Sequence, residues 1–149
     1  MSDEFAYACK LLSRREYSEG EMRRKLDTKW PESEKVEETL ELLLRENMLS
    51  DERYCTAFIR SRVSRFQGPR KIRAELSRRQ LADALVDQAM SESGVDWRDL
   101  AGEWLAKQNM DAGDYEVRAK YYRRLMNRGF NHDQAMDALN RQSEGENGV

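Results

Sequence analysis

Apolar residues recur along this chain at spacings of three and four residues, with charged residues between them. This periodicity is typical of amphipathic helices that bury one face. With only 2 Pro and 8 Gly, the chain is poor in the residues that a turn-rich β fold requires. We therefore predict an all-α protein. Its helices are expected at about 5–15, 18–30, 33–47, 51–66, 68–76, 82–90, 97–109, 115–128 and 131–141.

Local signals mark several helix ends. Ser18 and Glu21 have the spacing of a capping box, in which each side chain accepts a backbone N–H of the other residue. Pro31 stops the helix that Ser18 opens. Ser50 precedes two acids that suit the positive end of a helix. Gly129 stands where a left-handed helix end favours glycine.

A basic helix is predicted near the middle of the chain, after Gly68. Pro69 suits a first helical turn, because its missing N–H costs nothing there. Ile72 and Leu76 are four residues apart and share one face. The cationic residues of this helix lie on the broad opposite side: Arg70, Lys71, Arg73 and Arg78.

An apolar pattern repeats with a period of about 50 residues. Three leucines serve as anchors, and matching positions precede each by four residues and follow it by ten and fourteen. The matching sets are Met22, Leu26, Val36 and Leu40; Ile72, Leu76, Val86 and Met90; and Tyr121, Leu125, Ala135 and Leu139. We predict three-helix repeats at 1–49, 50–94 and 95–141, followed by a flexible tail at 142–149. Such small units must stack, which favours an elongated, right-handed tandem array.

Charge is unevenly distributed, although the net charge is only −2. Residues 53–79, the basic run, contain nine Arg or Lys and one acid, Glu75. The preceding residues 32–52 contain eight acids against Lys35 and Arg45. A solvated surface without a partner is the plain alternative for such a run. Its one-sidedness favours a cationic face that binds a partner.

The chemistry of an enzyme is not indicated. The single histidine, His132, lies at a predicted helix start, where a solvent-exposed position is expected. Cys9 and Cys55 form no CxxC pair and are expected to be reduced thiols in the core. No metal-ligand spacing and no glycine-rich phosphate loop is present. We expect no catalytic residue, no metal and no cofactor.

The N-terminal residues carry Asp3 and Glu4 and lack the apolar segment of an export signal. No apolar run approaches the roughly 20 residues that a membrane-spanning helix needs. The expectation is a cytoplasmic protein that does not enter membranes and folds as a monomer.

Four local patterns resemble the RecX family, the bacterial regulators of the RecA recombinase. They are Tyr17-Ser18-x-x-Glu21-Met22-x-x-Lys25-Leu26; Asp51-Glu52-Arg53-Tyr54 continuing to Phe58-Ile59-x-x-Arg62; Gly68-Pro69-x-Lys71-Ile72-x-x-Glu75-Leu76; and Arg128-Gly129-Phe130. The second and third together are quite specific. Met22 replaces the usual leucine, and Arg124 stands where an aromatic residue is common.

The resemblance implies a non-enzymatic negative regulator that binds the RecA–single-stranded-DNA filament, in its helical groove or at its ends. It would inhibit ATP hydrolysis, strand exchange and co-protease activity, and so modulate recombinational DNA repair and the SOS response. Weak, sequence-nonspecific binding to single- and double-stranded DNA is also expected. The alternative is a sequence-nonspecific DNA-binding protein of helix-turn-helix type, because an Arg/Lys face grips phosphates without reading bases.

Nine residues are predicted to contact RecA or DNA: Arg60, Arg65, Arg70, Lys71, Arg73, Arg78, Lys120, Arg123 and Arg124. Four are predicted to be structural: Arg62, Gly68, Pro69 and Glu75. Arg62 is separated from its basic neighbours because it follows Phe58 by four residues and therefore points with the apolar stripe. Its guanidinium is expected to bind helix-end carbonyls or a carboxylate such as Glu75 or Glu21.

Overall fold

The computed structural model describes residues 2–147, which form nine α-helices and no strand. The helices are α1 (Asp3–Leu12), α2 (Glu19–Lys29), α3 (Glu34–Arg45), α4 (Asp51–Val63), α5 (Pro69–Arg78), α6 (Asp83–Glu92), α7 (Trp97–Ala106), α8 (Tyr115–Asn127) and α9 (His132–Asn147). The predicted all-α class is confirmed.

Side-chain caps open most of the helices. Ser18 and Glu21 form the complete capping box at α2, and Ser50 accepts the Arg53 N–H at α4. The N-cap of α5 is Gly68, which has no side chain to offer, and Pro69 follows as the first helical residue. The backbone N–H groups at the start of α5 must therefore find another partner.

Three hydrophobic cores follow one another along the chain. They are built from residues 8–49 of α1–α3, residues 54–90 of α4–α6 and residues 100–139 of α7–α9. We call these three-helix units the first, second and third repeats. Every position of the repeated apolar pattern is buried except Tyr121, which is partly buried against the third core. The tandem three-helix organisation follows from this periodic burial.

Phe66 departs from the predicted arrangement. The pattern places it on the same helical face as Phe58, but α4 ends at Val63 and Phe66 has a left-handed φ of 59°. This turn directs its ring onto the core of the third repeat, where the Lys107 ammonium lies 4.5 Å from the ring centroid. The second repeat thus contributes an aromatic side chain to the core of the next.

One prediction for α3 needs correction. Spacing predicts that Leu44 shares the buried stripe of Val36, Leu40 and Leu43, but Leu44 is 39% exposed and Thr39 is buried instead.

Residues 142–147, which belong to the predicted tail, continue α9 as helix. Their polarity does not end the helix, since polar residues are compatible with helical backbone and no proline interrupts them. Residues 148 and 149 lie outside the described residues.

Candidate basic interface and repeat junctions

Five of the predicted contact residues are exposed on α5, α8 and the C-terminal part of α4 with its turn. Within residues 2–147 they form no ion pair, and they are Arg60, Arg65, Lys71, Arg78 and Arg123. Arg60 also borders a groove of about 300 Å³ between α4 and α6, with Ile59 and Ala89 among its lining residues. These uncompensated charges extend over two repeats, and an anionic or carboxylate-rich partner would complement them.

The other four contact candidates have partners within the protein. Arg73 forms an ion pair with Asp87, and the Arg70 guanidinium donates to the Phe130 carbonyl over 3.3 Å. Lys120 and Arg124 lie over the Tyr121 ring, at 5.8 and 5.0 Å from its centroid. A binding partner would have to compete with these contacts.

Arg62 lies between α4 and α5. Its Nε donates to Glu75 Oε2 over 3.0 Å, and its Cζ lies 4.3 Å from the centroid of the Phe58 ring. Only 19% of the Arg62 side chain and 14% of the Glu75 side chain are exposed. A planar guanidinium suits this site because one face stacks on the aromatic ring while its edge donates to the carboxylate.

Gly68 and Gly129 meet where the second and third repeats join, which we call the 2–3 junction. The Gly68 N–H donates to the Arg128 carbonyl over 2.7 Å, and the Arg70 N–H donates to the Gly129 carbonyl over 3.0 Å. A Cβ on Gly68 would lie 2.3 Å from the Gly129 carbonyl carbon, and one on Gly129 would lie 2.5 Å from Lys71 Cβ. Glycine at both positions allows the two backbones to touch.

Arg128 strengthens the same junction with its side chain. Its Nη2 donates to the Arg65 carbonyl over 2.9 Å and its Nε to the Phe66 carbonyl over 3.2 Å, both in the turn that follows α4. Its Cζ lies 4.7 Å from the centroid of the Trp104 ring. Burial lowers the pKa of this guanidinium from its ordinary value. We call Arg128 and Gly129 together the clasp.

Sequence reasoning missed this role of the clasp. It identified Gly129 as the end of a helix, and its φ of 100° fits that expectation. The basic residue beside it gave no sign that it would reach a turn more than 60 residues earlier. The absence of a side-chain cap at α5 was the available signal, because it leaves N–H groups that another part of the chain can bind.

Polar side chains dominate the contact between the first and second repeats, the 1–2 junction. The Glu19 N–H donates to Asp51 Oδ1 over 2.7 Å, and Arg53 Nε donates to Glu16 Oε1 over 3.0 Å. Within residues 2–147, no backbone-to-backbone hydrogen bond joins α1–α3 to α4–α6. The 1–2 junction therefore depends on charges that solvent can screen.

A small titratable cluster completes the 1–2 junction. Burial acts to raise the pKa of Glu21, but hydrogen bonds from Arg15 and from the Ser18 N–H outweigh it, so the pKa is lowered overall. Burial raises the pKa of the nearby Tyr54 hydroxyl, and the negative charge of Glu21 adds to that effect. Glu21 is thus held ionised at neutral pH.

Two groups capable of chemistry are the thiol of Cys55 and the imidazole of His132. Burial, assisted by the charge of Asp51, raises the pKa of the Cys55 thiol to about 11, so the nucleophilic thiolate is scarce at neutral pH. His132 is exposed and its Nδ1 lies 2.9 Å from the Tyr122 hydroxyl. In the described part of the chain, no group of three His, Cys, Asp or Glu residues could hold a metal ion.

None of the helices in the described part of the chain combines the length and apolar character of a membrane span.

Fold and surface together define a class: a tandem three-helix-repeat protein with a cationic face shared between repeats. Two family models match the chain in this order. The first three-helix domain of RecX matches residues 5–43, and the second three-helix domain of RecX matches residues 50–90.

Curated relatives extend the similarity over most of the chain. Regulatory protein RecX of Actinobacillus pleuropneumoniae serotype 5b is 37% identical over 127 residues, covering 85% of this chain and 84% of the relative. Regulatory protein RecX of Chromohalobacter salexigens is 39% identical over 133 residues, covering 89% and 88%. The chain belongs to the RecX family of regulatory proteins.

Solved structures agree with the fold. A crystal structure of RecX from Lactobacillus salivarius matches with a TM-score of 0.77 at 20% identity, covering 93% of both chains. A second crystal structure, of regulatory protein RecX, matches with a TM-score of 0.69 at 21% identity, covering 89% of this chain and 70% of that chain. At these identities the match describes the fold alone.

Proposed function

We propose that this protein is a negative regulator of RecA. It binds the RecA–single-stranded-DNA filament, in the helical groove or at the ends, and inhibits its ATPase, strand-exchange and co-protease activities. Recombinational DNA repair and the SOS response are modulated in consequence. The observation that carries this proposal, beside family membership, is the set of unpaired cations exposed on two consecutive repeats.

This surface suits a long polyanionic partner. A nucleoprotein filament presents DNA phosphates and protein carboxylates at repeated positions, and a tandem array can match more than one of them. Exposed Arg and Lys residues attract such a partner while keeping their stems flexible. The regulator would need no chemistry of its own, because occupying the filament is sufficient to obstruct RecA.

The alternative is sequence-nonspecific DNA binding in the manner of a helix-turn-helix protein, with α5 as the docked helix. The exposed basic side chains of α5 favour it. Two features of the same helix weaken it: Gly129 covers the Arg70 N–H at its start, and Arg73 is already paired with Asp87. Its Arg/Lys face would contact phosphates and could not specify bases.

The deciding experiment measures RecA ATPase on single-stranded DNA with and without this protein. Reversing three unpaired charges (Arg60→Glu, Lys71→Glu and Arg78→Glu) should raise the concentration needed for inhibition by about tenfold or more, since each loses an attraction and gains a repulsion. The melting temperature should change little, because all three side chains are exposed. Unaltered inhibition would remove this face from the mechanism.

A matched control carries the same change of net charge elsewhere. Lys10, Arg14 and Lys35 are exposed on the first repeat, and reversing them should leave inhibition near the parent value. DNA binding without RecA is measured on the same variants as a function of salt. Binding that falls steeply with salt, tolerates any sequence and leaves RecA unaffected would favour the helix-turn-helix alternative.

A further inference from the structure

The two junctions between repeats differ in a way that bears on how a partner is engaged. We propose that Arg128 and Gly129 are positioning residues, which lock the second and third repeats into one rigid body. The first repeat, by contrast, adjusts its orientation through the salt-screened 1–2 junction.

The lock consists of hydrogen bonds to backbone groups, and breaking them costs free energy. The Gly129 carbonyl accepts the Arg70 N–H, one of the groups left open at the start of α5 because Gly68 offers no cap. The Arg128 guanidinium binds two carbonyls in the turn after α4. Both ends of the α4–α5 connection are therefore satisfied by the third repeat, and separating the repeats would leave these groups unpaired.

Close approach adds a geometric restraint. The carbonyl carbon of Gly129 lies 2.3 Å from where a Gly68 Cβ would be, so the two glycines leave no space for sliding. Phe66 also enters the core of the third repeat. Rotation of one repeat against the other would break hydrogen bonds and expose apolar surface together, which makes a single arrangement strongly preferred.

The 1–2 junction has no comparable restraint. Its polar contacts within residues 2–147 are one ion pair, Arg53 with Glu16, and one backbone N–H bound to a carboxylate, and such contacts re-form in several geometries at modest cost. Ser18 caps the Glu21 N–H at the start of α2, so the second repeat supplies only the acceptor for the Glu19 N–H. Turning the first repeat would therefore release one backbone N–H, whereas separating the second and third repeats would break two backbone-to-backbone hydrogen bonds and the guanidinium contacts of the clasp.

For function, the lock would hold the basic faces of α5 and α8 at a fixed separation. This step rests on the proposed function. If both faces contact the filament at once, the second contact is intramolecular, and a rigid connection of matching geometry raises its effective concentration and so the apparent affinity. Loosening the lock should then weaken inhibition although every basic side chain remains.

Distances between spin labels test the lock in the full-length protein without RecA. One pair joins the second and third repeats at Ala84→Cys and Glu103→Cys, and another joins the first and second at Glu38→Cys and Ala84→Cys. All three sites are exposed, and Cys9→Ala removes the more accessible native thiol. We expect a narrow distribution for the first pair at low and high salt, and a broader one that widens with salt for the second.

Gly68→Ala isolates the close approach, because Gly68 has an ordinary φ of −82° and alanine there brings only its Cβ. It should broaden the distribution between the second and third repeats and leave the other unchanged. Gly20→Ala is the control, since a Cβ there meets nothing within 4 Å. If circular dichroism shows that Gly68→Ala does not fold, Arg128→Gln is used as the test variant instead, because it removes the guanidinium contacts.

RecA inhibition by the same variants separates the outcomes. Folded Gly68→Ala should need roughly tenfold more protein for half-inhibition of the ATPase, because the effective concentration of the second contact falls, whereas Gly20→Ala should match the parent. A narrow distribution between the second and third repeats in both Gly68→Ala and Arg128→Gln overturns the lock. Equal, salt-independent widths for both pairs overturn the adjustable first repeat. If the parent protein does not inhibit RecA, the proposed function fails, while the distances still decide the lock.

Discussion

The two junctions connect similar units with different chemistry. Ser18 in the first repeat and Gly68 in the second occupy the same position, eight residues before the shared leucine. Gln80 and Gly129 likewise correspond, four residues after it. Where the helix has its own serine cap, the repeats meet through side chains; where glycine replaces the cap, the neighbouring backbone completes the helix. At α5 the missing side-chain cap is thus matched by a backbone carbonyl of the neighbouring repeat.

Arg79 and Arg128 extend the comparison, since each follows its leucine by three residues. Both stack on an aromatic ring: Arg79 Cζ lies 4.7 Å from the Phe58 centroid, and Arg128 Cζ lies at the same distance from that of Trp104. Arg79 then donates to the Glu75 carbonyl within its own repeat, whereas Arg128 reaches into the preceding one. The same residue type therefore serves one repeat in the first case and two in the second.

Among the changes predicted here, Gly129→Ala should cause the largest loss of stability, because it acts at the 2–3 junction. Alanine at a φ of 100° is strained, and its Cβ would overlap Lys71. We expect a loss of about 3 kcal/mol or more in the free energy of unfolding, from strain and from broken hydrogen bonds at the 2–3 junction. Chemical denaturation measures it, with Gly20→Ala as the control. A Gly129→Ala protein as stable as the control would contradict the close contact.

Arg62→Ala tests contacts inside the second repeat, away from either junction. The change removes the stack on Phe58 and orphans Glu75, so we expect about 1–3 kcal/mol of destabilisation. Arg62→Lys should recover little of it, because an ammonium cannot reproduce the planar fork. Thermal melts of the two variants decide this. Parent-like melting of Arg62→Ala combined with lost RecA inhibition would make Arg62 a contact residue.

Acidification should act on the start of α2, which borders the 1–2 junction, with a smaller effect than either substitution. The pKa of Glu21 is lowered in the folded protein, so its contribution to stability is present above its ordinary pKa of 4.5 and is lost as the pH falls through the lower folded value. Hydrogen exchange below pH 4.5 should show the start of α2 losing protection that Glu21→Gln already lacks. Equal pH dependence in parent and Glu21→Gln would exclude Glu21 as its source.

Local features of the fold were predictable because they depend on residues close in sequence. The capping box of Ser18 and the buried positions of Leu26, Leu76 and Leu125 required only spacing and residue type. The partner of Gly129 could not be deduced in this way, since it depends on the angle at which two repeats pack. The position of Phe66 was predicted wrongly for a related reason. Its spacing continues the apolar periodicity of α4, and only the tertiary contact with the third repeat explains the left-handed turn.

The positive charge of the candidate site was predictable from the sequence, but which of its cations are already paired within the protein was not. Spacing indicated that Arg60, Lys71 and Arg73 are exposed, and they are. It could not indicate that Arg73 would find Asp87 in the next helix, or that Arg70 would reach the carbonyl of Phe130. Whether a surface cation remains unpaired depends on neighbours that are remote in sequence.

The position of Phe66 has a consequence for how such arrays change during evolution. Repeat proteins gain and lose units by duplication and deletion when each unit ends in a self-sufficient surface. Here a boundary drawn after α6 would remove the core that receives Phe66 and leave its ring against solvent. We therefore expect deletion of the third repeat to disturb the second, whereas within residues 2–147 the first core contains no residue of the second repeat.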